Sequence, residues 1–245
     1  MNVLTIGGVK IEGLAACVPA HAVENEAKVA QATGIVTRRI AAKGTTVADL
    51  CVKAAEKMLA DTNSKPEDFG AVLCVSFTQH NRMPATAIEA QVRLGLPKDV
   101  VAFDVSLACS GWGYGLYLAG LQLEEGGTIQ MDGFGVFKFV ATDVVGYLRE
   151  FLSANSQQLT ANSFVPHQPN VYMVRQLAKS LGVAEGTTAI SCDQLGNLSS
   201  ASVPVTIAWK NVRGPVLFSG FGGGLSVSIG MIEIDEDCKL AVIEV

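Results

Sequence analysis

The sequence predicts an α/β fold whose sheets are covered on both faces, and three observations carry that expectation. Short apolar runs, AVLCVSF at 71–77 and VVAFDV at 100–105, alternate with segments of helical period. Polar residues hardly interrupt those runs, as is usual for strands buried on two sides. Hydrophobic residues make up 49% of the chain and charged ones 17%, a balance that disfavours long disordered or nucleic-acid-binding tracts. At 245 residues the chain can bury a large core, as one domain or as two small halves.

The elements follow in order. TTVADLCVKAAEKMLA at 45–60 places Val47, Leu50, Cys51, Ala54, Ala55, Met58 and Leu59 on one broad face and reads as a helix, and the KPED turn leads into the first of those strands. A second helix is expected from Pro84 to Leu94, before VVAFDV. A Gly-rich helix at 112–121, a Gly-punctuated extended piece and a helix at 141–153 come next. NSFVP is a short strand, NVYMVRQLAKSLG a helix with a glycine stop, and TTAIS extended. GNLSSASVPVTIAWK turns into a small-residue helix, and GPVLFSGFGGGLSVSIGMIEI reads as two strands joined at FGGG.

The formal charge of −5 argues against a general polyanion-binding surface. The N-terminus lacks a basic start followed by a continuous apolar run, and no segment offers about 18 uninterrupted apolar residues. A soluble cytoplasmic protein without nucleic-acid or membrane partners is therefore expected. The six cysteines, at 17, 51, 74, 109, 192 and 238, show no CxxC spacing and call for no disulfide framework. No cluster has compact metal-ligand spacing, so no metal site is expected, and GFGGG lacks the Lys and Ser/Thr of a phosphate-binding loop.

The groups able to do chemistry are few. Cys109 stands at a strand-to-helix junction, where backbone N–H groups can lower a thiol pKa and hold an anion, although a structural thiol also suits so apolar a place. Cys192 is a second thiol to follow. Among three histidines, His21 and His80 read as surface or structural residues, while His167, just after a buried strand, suits a structural or a catalytic role. Asn197 in GNLSS is an ordinary turn residue or, if it meets Cys109 and His167 at one sheet end, a donor that polarises a carbonyl or stabilises an enolate. The FGGG loop at 221–224 could bring backbone N–H groups close to a ligand.

In chain order, ATGIVTRRIA (32–41), PATAIEAQVRLGL (84–96), AFDVSLACSGWGYGL (102–116), MDGFGVFKF (131–139), FVPHQPN (164–170), LGNLSSASVP (195–204) and SGFGGGLS (219–226) resemble the motifs of the β-ketoacyl-acyl carrier protein synthase III family, condensing enzymes of the thiolase superfamily. The resemblance implies a thiolase-like fold of two similar halves in α-β-α-β-α layers, residues 1–126 bearing the nucleophile and 127–245 the histidine and asparagine. It makes Cys109 the acyl-accepting nucleophile, and His167 and Asn197 the pair that assists decarboxylation of a malonyl thioester. The N–H groups of Cys109 and Gly223 would form the oxyanion hole, with Phe221 close to the reacting groups and Met83 near the acyl-pocket gate. Arg38 and Arg39 would contact coenzyme A. The implied reaction is ping-pong: an acyl-CoA primer acylates Cys109 and the malonyl-derived carbanion then attacks. Coenzyme A thioester is thus a substrate, no cofactor is tightly bound, and the implied partners are a second copy in a homodimer and an acyl carrier protein.

The chain departs from the family's pattern. Tyr172 stands where an arginine for the carrier protein is typical, with Arg175 the nearest, and Pro169 replaces a more usual alanine. Only LQLEEGG separates the Cys109 helix from TIQMDG, where the family carries several dozen residues, and the region between VENE and AKVAQATG is also short. An incomplete view of a longer enzyme is expected from this, with joins near 121–127 and 24–28. Two other readings stand beside the condensing enzyme: a related secondary-metabolite acyltransferase or synthase with another acceptor, and a catalytically inactive truncated scaffold or partner subunit.

Overall fold

The computed structural model describes residues 9–123, 144–155, 163–184, 186–222 and 226–245. In chain order its elements are β1 (Gly13–Val18), β2 (Ala22–Glu24), α1 (Ala27–Thr33), β3 (Thr37–Arg39), α2 (Val47–Thr62), β4 (Ala71–Val75), α3 (Thr86–Arg93), β5 (Val101–Val105), α4 (Gly111–Leu123), α5 (Val145–Asn155), β6 (Phe164–Pro166), α6 (Val171–Ser180), α7 (Cys192–Leu195), α8 (Ser202–Lys210), β7 (Gly214–Gly222), β8 (Ser226–Ile234) and β9 (Lys239–Glu244).

Strand alternation sorts these elements into layers. On β7, Val216 and Phe218 join a core with Val203 and Ile207 of α8 and with Trp112 and Leu116 of α4, whereas Leu217 and Phe221 join Val145, Leu148 and Phe151 of α5 and Leu177 of α6. On β8, Ile232 and Ile234 face the first group, and Val227, Ile229 and Met231 the second. The β6–β7–β8 sheet is therefore covered on both faces, as its apolar sequence requires. On the other side of α4 and α8 lie the parallel pairs β1–β9 and β4–β5, since α4 also contacts β4, and α8 also contacts β1 and β9. Helices α2 and α3 cover those pairs from outside. The order of layers is α2/α3, then β1–β9 and β4–β5, then α4/α8, then β6–β7–β8, then α5/α6. This α-β-α-β-α arrangement matches the expected architecture; the expected division at 126/127 lies outside the described residues.

Helix α4 is apolar all round because it lies between two sheets, and its glycines let it fit. A Cβ at Gly111 or Gly115 would come within 2.6 and 2.9 Å of Val75 on β4, and one at Gly113 within 3.0 Å of Phe218 on β7.

Helix bounds differ from the expected ones for local reasons. Helix α2 begins at Val47 because Thr46 forms a capping box with Asp49, the Asp49 N–H donating to Thr46 Oγ1 at 3.1 Å and the Thr46 N–H to Asp49 Oδ2 at 2.7 Å. Helix α3 begins at Thr86 rather than Pro84 because its cap comes from β5: Asp104 accepts the Thr86 and Ala87 N–H groups, each at 2.8 Å. The helix expected at 141–153 is α5, and TTAIS contributes a single bridge between Thr188 and Phe164. The join expected near 24–28 lies among the described residues. Residues 22–33 run continuously, with Asn25 N–H donating to Val36 O and its Nδ2 to Ile35 O, each at 2.9 Å. Most of the 121–127 join and the extended piece expected after it fall outside the described residues.

Candidate active site

Strand β5 carries the chain to Cys109 through Ser106, Leu107 and Ala108, and the Gly111 N–H closes on Ala108 O at 2.9 Å to start α4. The thiol therefore stands at the amino end of a 13-residue helix, where the helix dipole favours negative charge. On the other side, Gly220 and Gly222 of β7 approach it. A Cβ at Gly220 would lie 2.8 Å from Cys109 O, and one at Gly222 would lie 2.8 Å from Cys109 Sγ. The buried Ser110 ties the junction to β8, its Oγ lying 2.6 Å from Ser226 Oγ and its carbonyl accepting Ser228 Oγ at 3.0 Å.

Cys109 opens into a pocket of about 670 Å³ lined also by Phe77, Ser106, Leu107, Ala108, Asn197 and Ser199. Asn197 follows Gly196, which ends α7 with a positive φ of 75°. Its Oδ1 accepts the Ser199 N–H at 2.9 Å. That turn occupies the carboxamide oxygen and leaves the NH2 as a donor, with no partner among the described residues. Ser199 Oγ lies 4.0 Å from Cys109 Sγ.

His167 does not line that pocket but reaches the same region through β7. The β6–β7 pairing is extended by the His167 N–H, which donates to Ser219 O at 2.6 Å. The imidazole meets Phe221 edge-on, with centroids 5.4 Å apart, and the next residue is the glycine that lies against Cys109. Only 2% exposed, the ring has its pKa lowered from 6.5 to about 4 by burial, so it is neutral at pH 7. Its buried Nδ1 has no hydrogen-bond partner among the described residues. Beside it, the buried Gln168 donates Nε2 to Pro166 O and Ala189 O at 2.9 and 3.1 Å and accepts the Ser191 N–H at 3.1 Å, which pins the segment.

The remaining expectations fall as follows. Gly223 lies outside the described residues. Met83 is 88% exposed and is not among the residues that line the Cys109 pocket. Alternation on β3 separates the two arginines. Arg38 is exposed beside the Gly196 turn, 3.4 Å from where a Gly196 Cβ would lie, and donates to Asn25. Arg39 points inward, donating to Pro19 O, Ala20 O and Glu244 at 3.0–3.2 Å, contacts that clamp the fold, while its buried Nε has no hydrogen-bond partner among the described residues. His21 and His80 are exposed. Cys192 is fully buried and its thiol is pushed up to about 11 by burial, which keeps it unreactive. Tyr172 and Arg175 are exposed on α6. Among the described residues no group of His, Cys, Asp and Glu is arranged to hold a metal, and no helix is long and apolar enough to cross a membrane. Sequence reading missed Phe77, Ser199 and the approach of Gly222 to the sulfur.

Layers and pocket together define a class of fold, the thiolase-like α/β architecture, with a cysteine at the amino end of its central helix. The comparisons agree. The family model for the C-terminal part of 3-oxoacyl-[acyl-carrier-protein] synthase III matches residues 154–234. The β-ketoacyl-[acyl-carrier-protein] synthase III of Serratia proteamaculans is 28% identical over 79% of this chain and 86% of its own. That alignment spans 274 residues against a chain of 245, so the relative carries positions with no counterpart here. Among solved structures, the 3-oxoacyl-(acyl-carrier protein) synthase of Burkholderia xenovorans superposes with a TM-score of 0.84 at 22% identity, covering 95% of this chain and 97% of its own. OleA of Xanthomonas campestris, with bound lauric acid and lauroyl-CoA, gives 0.80 at 16% identity, covering 94% and 100%. In sequence and fold the chain is thus similar to the β-ketoacyl-acyl carrier protein synthase III-like condensing enzymes of the thiolase superfamily, with the family model matching its C-terminal part, and this homology supports an acyltransferase.

Proposed function

We propose that the chain condenses an acyl group from a coenzyme A thioester with a malonyl thioester through an acyl-enzyme on Cys109. The observation that carries this reading is the pocket itself, which holds a thiol at the amino end of α4 and an asparagine whose NH2 is left to donate. The Cys109 sulfur attacks the acyl carbon and coenzyme A leaves as the thiol. A malonyl thioester then loses CO2, and the electron pair of the broken carbon–carbon bond remains as an enolate. N–H donors of Asn197 and neutral His167 stabilise that enolate oxygen, and the N–H groups of Cys109 and Gly223 the oxyanion formed when the carbanion attacks the acyl-cysteine. The tetrahedral intermediate collapses with the sulfur as leaving group, releasing a β-ketoacyl thioester. No carboxylate base is needed, because decarboxylation itself generates the nucleophile.

The division into a nucleophile-bearing half, 1–126, and a half bearing His167 and Asn197, 127–245, belongs to the same reading. So does a homodimer: Phe77, Met83, Ile88, Val92 and Val101 expose apolar surface on and around β4, α3 and β5, and a second copy would cover it and give Met83 a place at the neighbouring acyl pocket. Sedimentation equilibrium tests this, with a monomer at assay concentrations counting against it. The second reading, a synthase with an acceptor other than an acyl carrier protein, is favoured by the exposed Tyr172 and by the likeness to a structure holding lauroyl-CoA.

Incubation with acyl-CoA followed by intact mass separates an enzyme from an inactive scaffold. An acyl adduct is expected on the wild-type chain and none on Cys109→Ala; no adduct on either defeats the proposal. Malonyl groups supplied on carrier protein and on coenzyme A then distinguish the two enzyme readings by which one yields β-ketoacyl product.

A further inference from the structure

Three observations meet at Ser199, a residue the mechanism above does not use. Its φ of 54° puts a serine in the left-handed region, which non-glycine residues seldom occupy without a reason. Its N–H donates to Asn197 Oδ1 at 2.9 Å, and its hydroxyl lies 4.0 Å from Cys109 Sγ. Among the described residues that sulfur is the hydroxyl's only partner. Glycine would relieve the backbone and keep the N–H, so what serine adds at this position is the hydroxyl.

We propose that Ser199 is a positioning residue that serves the nucleophile and the donor together. Its N–H fixes the Asn197 carboxamide so that the NH2 turns to the substrate. Its hydroxyl donates to the Cys109 sulfur when that atom carries charge, holding it ready to attack. A thioester sulfur is a poor acceptor, so the bond is released on acylation and no proton is transferred. The effect therefore falls on the rate of forming the acyl-enzyme and not on binding of the thioester. This role rests on Cys109 being the nucleophile, and the test treats the two separately.

The rate of Cys109 alkylation by iodoacetamide, followed by peptide mapping to set aside the other thiols, is compared in the full-length wild type, Ser199→Ala and Ser199→Gly. Alkylation is expected to slow about three- to tenfold in both variants, the loss for one hydrogen bond to a charged group weakened by distance. With acetyl-CoA, the saturating acylation rate should fall by the same factor while the half-saturating concentration stays within about twofold, a split that a merely structural defect would not produce. Thermal melting should show Ser199→Gly at least as stable as wild type, since glycine accepts the positive φ. Wild-type alkylation rates in both variants would overturn the proposal, as would a loss in Ser199→Ala that Ser199→Gly restores. A Ser199-dependent alkylation with no acetyl adduct even on wild type would instead defeat the proposed function while supporting the contact between hydroxyl and sulfur.

Discussion

Replacing His167 with glutamine removes a group whose protonation the fold opposes. In the unfolded chain the imidazole takes a proton near pH 6.5; in the folded chain burial delays that to about pH 4. Between those values the unfolded state binds more protons, so stability is fully present above pH 6.5 and is lost as pH falls toward 4. The gap corresponds to about 3 kcal/mol in all, of which about 2.5 kcal/mol is lost between pH 7 and pH 4.5. Urea denaturation of wild type and His167→Gln at half-unit intervals across that range measures it. Carboxylates also titrate there, so the informative quantity is the difference between the two proteins, which should narrow by about 2.5 kcal/mol on acidification. Curves that stay parallel within about 0.5 kcal/mol would show that the ring is not held neutral by burial, and would remove the basis for treating His167 as a neutral donor at pH 7.

Asn197→Asp keeps the acceptor for the Ser199 N–H and loses the NH2; product formation should fall about 10²- to 10³-fold, while intact mass still shows acylation of Cys109. Gly222→Ala places a Cβ 2.8 Å from the Cys109 sulfur, and alkylation by iodoacetamide should slow at least about tenfold as the sulfur is pushed aside. Gln168→Ala strands buried backbone groups at Pro166, Ala189 and Ser191 and should lower stability by about 2–4 kcal/mol in urea denaturation at pH 7.

What could be read from the sequence was whatever a local pattern encodes. The apolar runs of β4 and β5 announce strands covered on two faces, and the change from VAFDV to GWGYG marks the junction that bears Cys109. The Gly-Asn pair at 196–197 announces a turn. The partner that makes the turn useful is not encoded, because a serine at positive φ has no sequence signature. Pairing of β1 with β9 joins the two ends of the described chain, and no local window contains both. Arg38 and Arg39 look alike in TRRIA, yet strand alternation sends one outward and the other into a carbonyl clamp. The isolation of His167 Nδ1 depends on residues brought to the ring from elsewhere in the chain, Phe221 of β7 among them, and so becomes visible only in three dimensions.

The glycines around Cys109 connect fold to chemistry more tightly than a catalytic list would suggest. The Cys109 thiol stands at the end of a helix that runs between two sheets and is approached closely by both. Val75 of β4 stands against Gly111 and Gly115, while Gly220 and Gly222 of β7 stand against Cys109 and Ser110. Each glycine removes a side chain that would otherwise hold the sheet away; the freed space takes Val75 methyl groups at Gly111 and Gly115, the Cys109 side chain at Gly222, and the backbone of Cys109 and Ser110 at Gly220. The same close approach lets Ser110 and Ser228 bond across the gap, so the junction is fixed by hydroxyls where larger side chains would have fixed it by bulk. Methyl groups at Gly111 or Gly115 would therefore act first on packing between α4 and β4, whereas one at Gly222 would act first on the sulfur, and comparing urea stability with Cys109 alkylation across the three separates the structural use of the glycines from the chemical one.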